Sequence, residues 1–307
     1  MKLSKMQKDL LMQIADIESV PTGAYNIRTD GQSAERNVTA NIDIITKTDK
    51  PGIDIYIKPN TKNERVDLPV LITKSGLTDL VYNDFYIGEG ADVIIVAGCG
   101  ICNTGHEKSE HDGIHSFHVG KNAKVKYLEK HYGDGEGSGE RVLNPTTVIE
   151  IDEGGYLEMD TAQIKGVDST VRKTTAVLEK GATLIVKEKI MTHGKQSADT
   201  DFYVNLKGEN CSAHVISRSV AKDTSYQRFV SVIDGNAKSN GRTECDAIIM
   251  DNAKVTAEPR INANHLEASL VHEAAIGKIA GDQLTKLMTL GLTEKEAEEY
   301  IVNGFLK

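Results

Sequence analysis

The sequence predicts a mainly β protein built as a β-solenoid, with short helical segments at its two ends. Three observations carry this. A Gly or Asn turn, then a small residue and a β-branched strand, recurs along the middle of the chain. Aromatic residues are only 5% of the 307 residues and Trp is absent, so the core must consist of aliphatic rows. The clearest helical periodicity lies near the termini.

Leu3, Met6, Leu10, Ile14 and Ile17 have the spacing of one helix face, with Ser4 as its N-cap. After Pro21 the segments IDIITKTD, IDIYIKP and LPVLITK alternate as short strands broken by Gly, Asn and Pro. Residues 1–84 are therefore read as a helix and a strand-rich lead-in.

The repeat follows as GADVII at Gly90, NAKVKYL at Asn122, GGYLEM at Gly154, GATLIV at Gly181, NCSAHV at Asn210 and NAKVTA at Asn252. The small residues Ala91, Ala123 and Gly155 are 32 apart; Ala182, Cys211 and Ala237 follow at 27, 29 and 26, and Ala253 at only 16. Weaker copies at Ser169, Ser197 and Ser225 fill the gaps, which gives a unit of about 12–16 residues. That unit is read as one coil of two short strands and two turns, burying its interior only by stacking on its neighbours. An antiparallel sandwich is the alternative. The solenoid is assigned to residues 85–262. Residues 263–307 leave the pattern and read as helical: Asp282 caps a helix stopped by Gly291 at C′, and Thr293 with Glu296 forms a capping box for a second that ends at Asn303-Gly304.

A net charge of −9, from 45 acidic and 36 basic residues, argues against nucleic acid, which needs a basic face. Lys8, Asp9 and Gln13 interrupt the apolar residues of the N-terminus, so no signal peptide is expected. No apolar run approaches the ~18–20 residues of a membrane span, so no membrane partner is expected. Four irregularly spaced cysteines in such a chain fit reduced thiols in a cytoplasm, as nucleophiles or metal ligands.

The segment GCGICNTGHEKSEHDGIHSFH, from Gly98 to His118, holds Cys99, Cys102 and four of the nine histidines. A redox pair would need a strand-to-helix junction, and no helix is in reach. A zinc site would need two ligands from His106, His111, His115 and His118. Strand alternation places His115 and Phe117 on one face and Ser116 and His118 on the other. A turn with solvated histidines is the plain alternative. Cys211 stands at a small-residue position of the repeat, as a buried, inert thiol would. Cys245 precedes His272 and Glu273 by two 14-residue units, which puts thiolate, imidazole and carboxylate on nearby rungs as an iron or zinc set.

The segments TECDAII, LVHEAAIGKIAGDQL and GLTEKEAEEYIVNGFL, with GKQSADTD, KNAKVKYLEKHYGDGEGSG and AGCGICNTGHEKSEHDGIHSF upstream, resemble the SufB/SufD family of iron–sulfur cluster scaffolds. The resemblance runs from about residue 85 to the C-terminus, and Cys245 with His272-Glu273 makes it closest to a short SufB-type member. It implies a right-handed parallel β-helix whose C-terminal helices bind a SufC-type ABC ATPase. It also implies that Cys99 accepts persulfide sulfur from a cysteine desulfurase or other sulfur donor. Cys245, Glu273 and His272 would hold iron and a transient iron–sulfur cluster at the interface of a homodimer or a SufB/SufD-type heterodimer. The chain would then be a scaffold and not itself an enzyme; it contains no GxxxxGK[ST] phosphate loop, and the ATPase activity would reside in the partner. The resemblance gives Cys102 no role. The alternatives are a non-catalytic SufD-like partner and a zinc-binding structural β-helix protein using Cys99, Cys102 and two histidines; a β-helix polysaccharide lyase would want a secretion signal. At 12–16 residues per coil, Cys99 and Cys245 stand roughly ten coils and some tens of ångströms apart. Sulfur transfer would then need a relay along the solenoid or a dimer that shortens the path.

Overall fold

The computed structural model describes residues 4–18 and 21–307. Leu3, assigned above to the first helix face, lies outside the described residues. The described chain forms a parallel β-solenoid of about eight turns with three short helices at its ends. Its cross-section is flat, because each coil contributes one strand to each of two facing sheets.

The first sheet runs in spatial order β2 (Gln32–Asn37), β1 (Ala24–Thr29), β5 (Lys62–Ile72), β7 (Asp92–Cys102), β9 (Lys124–Asp134), β12 (Tyr156–Lys165), β14 (Thr183–Thr192), β16 (Ser212–Ala221), β18 (Ser239–Ile249) and β20 (Ala268–Gly277). The second runs from β3 (Ile42–Thr46) through β4 (Gly52–Ile57), β6 (Thr78–Ile87) and β8 (Ser109–Val119) to β13 (Ser169–Leu178), β15 (Ser197–Leu206), β17 (Tyr226–Gly235) and β19 (Lys254–Ala263). Between β8 and β13 one rung is split into β10 (Arg141–Leu143) and β11 (Thr146–Ile151). Pro145 sits in the gap, where it has no amide N–H to give the ladder. From β5 to β20 the pairing within each sheet is parallel, which excludes the antiparallel sandwich.

The turns explain the repeat. Gly90, Asn122, Gly154, Gly181 and Asn210 have φ of 66°, 53°, 68°, 67° and 59°. This left-handed conformation is open to Gly and tolerated by Asn. The next residue turns into the core and has no room to grow; a Cβ on Gly155 would lie 2.8 Å from Ile151 Cγ2. These turns all lead into the first sheet. The weaker copies at Ser169 and Ser197 open strands of the second. The 12–16-residue unit is therefore one strand with its turn, half a coil. A full coil measures 32 residues from Lys124 to Tyr156 and 29 from Thr183 to Ser212. Ala237 and Ala253 are only 16 apart because they precede strands of different sheets.

The ladder extends on both sides of the 85–262 span read from the repeat. β4 and β5 already pair in parallel with β6 and β7, and β20 pairs in parallel with β18. The segment ASLVHEAAIG, assigned above to the helical tail, is thus the last strand of the first sheet; joining the ladder satisfies its backbone groups. Beyond it, α2 (Gly281–Thr289) starts at Ala280 with no side-chain cap. Asp282 is therefore not the cap; it lies in the first turn, where its charge complements the helix dipole. Gly291 takes φ 98° after α2, and the Thr293–Glu296 capping box opens α3 (Glu294–Phe305). Val302 and Leu306 seat the tail against Val220 and Met250 of the solenoid.

The two ends differ. At the N-terminal end the β1–β2 and β3–β4 hairpins are antiparallel and close the ladder. Helix α1 (Lys5–Ala15), capped by Ser4, lies across the outer face of the first sheet and buries Leu10, Leu11 and Ile14 against Leu71, Val96 and Cys102. Gly98 and Gly100 make its seat: a Cβ on Gly98 would meet Ile14 O at 2.7 Å. At the other end β19 and β20 have no strand on their outer sides among the described residues, and Ile261, Leu266, Val271 and Ile276 are exposed there.

Most of the interior is apolar. Ile55, Phe85, Phe117 and Ile149 stack rung upon rung, with the two Phe rings 4.5 Å apart and nearly parallel. Each side chain so buried stabilises the coil by about 1.5–3 kcal/mol. A smaller part of the interior is polar, and the candidate chemistry lies along it.

Candidate functional site

CGIC lies inside β7, so its residues alternate between faces. Cys99 points into the interior and packs with Val70, Ile72, Ile101 and Leu143. Cys102 points outward and is covered by α1. The two cysteines cannot chelate one ion, which removes the zinc alternative built on them. The histidines divide as strand alternation requires. His111 and His115 are buried inside, His118 faces outward against Glu150, and His106 lies in the exposed loop beside Ser138. The interior pair is thus not a solvated turn.

Cys99 lines a cavity of about 20 Å³, enough for one water-sized particle, with Asn83, His111, Gly113, His115, Glu129 and His131. His131 is its direct cross-strand neighbour on β9. Burial raises the Cys99 thiol well above its ordinary pKa, and the charges of Asp79 and Glu129 raise it further. The thiol is therefore neutral in the closed chain. Tyr127 donates to Glu129 Oε1 at 2.9 Å, so His115 Nδ1, 2.9 Å from the Tyr127 hydroxyl, must donate to it. Burial lowers the His115 pKa to about 4, with Glu129 opposing; the ring is neutral and its tautomer fixed.

A row of polar side chains leads away from this cavity along the inside of the first sheet. Glu129, Thr161, Glu188, Ser217 and Cys245 are successive register partners on β9, β12, β14, β16 and β18. All five are at most 3% exposed. Arg172 on β13 reaches across the interior, donating to Glu129 Oε2 at 2.8 Å and standing 3.4 Å from Glu188 Oε1. Thr200 and Ser217 donate to Glu188. Burial pushes the two carboxyls up, but Arg172 and His131 carry Glu129 well below the usual range, whereas Glu188 stays raised. Thr161 Oγ1, midway, is buried without a hydrogen-bond partner.

Cys245 ends this row, with its pKa pushed up to about 12 by burial and by the charge of Glu188. It is five rungs from Cys99, not ten, because a coil is twice the length first read; the axial separation is about 24 Å. On the last rung His272 pairs with Thr243 and Ala274 with Cys245. His272 faces inward, diagonal to Cys245, and its Nδ1 is buried with no partner. Glu273 faces outward, where it accepts from Arg242 at 2.8 Å. Neighbouring residues of a strand cannot both face one thiol, so the single chain brings His272 toward Cys245 but not Glu273. Among the described residues no group of three or more His, Cys, Asp or Glu is placed to hold a metal. Cys211 is fully buried at its turn, as its small-residue position implied.

Sequence reasoning missed Glu129, Arg172 and Glu188. The signal was present: in KVKYLEKHY the inward positions read Val125, Tyr127, Glu129, His131, so the alternation that marks a core continues into charge. A groove of about 660 Å³ lies elsewhere, on the outer face beside the stacked Tyr56, Tyr86 and His118. No helix among the described residues is long and apolar enough to cross a membrane.

The molecule is thus a two-sheet parallel solenoid with two buried thiols, Cys99 and Cys245, five rungs apart on one sheet. Residues 78–305 match the family model described as "SUF system FeS cluster assembly, SufBD core domain". The chain belongs to the SufBD family of iron–sulfur cluster assembly proteins. It is 30% identical over 265 residues to an iron–sulfur cluster assembly SufBD family protein of Archaeoglobus fulgidus, covering 84% of this chain and 70% of that one. A Methanocaldococcus jannaschii member is 30% identical over 237 residues, 76% of this chain and 74% of its own. A Pyrococcus horikoshii member is 26% identical over 295 residues, 96% and 84% respectively.

Proposed function

We propose that the chain is the scaffold of a Suf-type assembly complex in a cytoplasm, receiving sulfur at Cys99 and completing a cluster at Cys245. The observation that carries this is the buried row from the Cys99 cavity through Glu129, Thr161, Glu188 and Ser217 to Cys245. In the receiving step the Cys99 thiolate attacks the outer sulfur of a persulfide. The donor's S–S bond breaks, its thiolate leaves, and the sulfur stays on Cys99 as a new persulfide. The donor is a cysteine desulfurase or a carrier it loads. Five rungs exceed any direct transfer, so the sulfur needs either a mobile carrier moving along the solenoid, for which the polar row offers a hydrogen-bonding path, or a dimer that shortens the route.

The cluster itself is cargo. Cys245 offers a thiolate once deprotonated, and His272 offers a nitrogen that nothing else in the chain occupies among the described residues. Glu273 lies on the other face of the same strand, so its part in holding iron is assigned to an assembly in which β20 meets a second protomer, a homodimer or a SufB/SufD-type heterodimer. The exposed Leu290 and Tyr300 of the tail are the docking surface for the SufC-type ATPase, which supplies the nucleotide chemistry this scaffold lacks.

A SufD-like, non-catalytic role is the second reading, favoured by the high pKa of Cys245 and the outward turn of Glu273. Anaerobic co-purification with the ATPase and reconstitution, scored as iron and acid-labile sulfide per chain, separates the two. The scaffold reading expects Cys245→Ala and Glu273→Ala each to abolish cluster retention and Cys99→Ser to abolish loading from a persulfide donor. Wild-type yields from all three variants would leave the SufD-like role.

A further inference from the structure

The N-terminal end of the solenoid contains a second cavity that the sulfur pathway above does not use. It is a cleft of about 310 Å³ between the β1–β2 and β3–β4 hairpins. Its floor is Leu68, Val70 and Asn83, and the same three residues line the Cys99 cavity. One layer of side chains therefore separates solvent at this end from the thiol.

The wall of the cleft carries its cations at the surface and their carboxylates behind. Arg28, Arg36, Lys47 and Lys50 line it, and no Asp or Glu does. Two of these cations are matched from behind: Arg28 by Asp79, and Lys47 by Asp54 and Asp84. The other two hydrogen-bond to or stack on neutral groups, with Asp43 near Arg36 and Asp84 near Lys50 acting through space. Arg36 donates to Asn26 Oδ1, Ile44 O and Thr46 Oγ1, and Lys50 stands 4.5 Å over the Tyr82 ring. Arg36 is held by three acceptors in a half-buried position, so its charge is fixed toward the cleft rather than free to fold away. Walls of low dielectric that carry one sign of charge concentrate counter-charge between them.

We infer that this cleft is the entrance to Cys99 and binds a small anionic sulfur carrier, a low-molecular-weight persulfide. The inference rests on Cys99 being the sulfur-accepting thiol and adds the route and the charge of what reaches it. Two other approaches to Cys99 are closed: α1 covers the outer face of β7, and β9 stacks on the next rung. The size step fits the chemistry. The cleft accommodates a small carrier, whereas the inner cavity takes little more than a single atom, so the carrier stays outside while its terminal sulfur passes the Asn83 floor.

The test uses a full-length chain in which Cys102, Cys211 and Cys245 are replaced by Ser, Ala and Ala. Cys99 is alkylated with iodoacetate or iodoacetamide, probes of nearly equal size that differ in charge; in each the thiolate displaces iodide. Relative to free cysteine, Cys99 should prefer iodoacetate. Arg36→Gln with Lys50→Gln should reduce that preference about tenfold while leaving the iodoacetamide rate in place, and high salt should do the same to the parent chain. A preference equal to that of free cysteine, or one unchanged by the substitutions and by salt, overturns the proposal. If Arg36→Gln disturbs the hairpin, both rates rise together; Lys50→Gln alone and the salt series then decide. A Cys99→Ser chain that assembles clusters normally would instead refute the sulfur-accepting role, with the anion preference of the cleft intact.

Discussion

His272 stands directly across from Thr243 on the last rung of the first sheet, and His272 Nδ1 and Thr243 Oγ1 are both buried without a hydrogen-bond partner. Two such atoms side by side cost the single chain stability, because each has lost water and gained nothing. His272→Leu should therefore stabilise the isolated chain by about 1 kcal/mol in urea denaturation, while removing cluster retention. A variant that loses both stability and retention would mark His272 as a structural residue only.

Arg172 neutralises two buried carboxylates from the opposite sheet, Glu129 and Glu188. Arg172→Met leaves Glu188 without a counter-charge and Glu129 with only its histidine and tyrosine neighbours, and should cost about 3–5 kcal/mol of unfolding free energy. Replacing all three with apolar residues of similar volume should restore most of that loss, because the burial cost of the carboxylates disappears with them. Recovery of stability without recovery of cluster assembly would locate the function of the row in its polarity.

His115 has a folded pKa of about 4 against an ordinary value of 6.5. The unfolded chain binds the proton first, so the contribution is present above about pH 6.5 and is lost as the pH falls toward 4. Unfolding free energy should drop by about 1–3 kcal/mol across that interval from this residue. The comparison that isolates it is His115→Asn, whose stability profile should be flatter over the same window. Equal slopes would place the acid sensitivity elsewhere.

Deleting residues 281–307 should abolish binding of the ATPase while the solenoid keeps its β-sheet circular dichroism. The tail rests on the solenoid through Val302 and Leu306 against Val220 and Met250, a contact small beside the interior rows. Loss of the β signal together with binding would make the tail part of the fold.

The architecture was legible in the sequence because the turn chemistry is local: Gly or Asn in a left-handed conformation, then a residue too confined to be large. The coil length was not. The turns into the second sheet bear their positive φ at Gly194, Asp223 and Asp251, one position earlier relative to the strand, and so looked like weak copies of the same signal. Counting both kinds as one halved the coil and doubled the apparent distance between the thiols. The site was legible as residue types and not as directions. His272 and Glu273 were paired because they adjoin in sequence, and that adjacency in a strand sends them to opposite faces. Glu129, Arg172 and Glu188 went unread because a charge at an inward position looks like solvent-facing patterning until the partner sheet is known.

The unlike ends of the solenoid set what it can assemble into. The N-terminal edges are short and β2 carries Glu35 and Arg36, whereas β19 and β20 present ten-residue edges with apolar residues beside them. Backbone groups on an open edge accept another strand, and short or charged edges resist one. Among the described residues the receptive edges lie at one end, so any pairing of two copies through β19 and β20 would bury them and leave the protected edges outward, where a solenoid receptive at both ends would run on into a fibre.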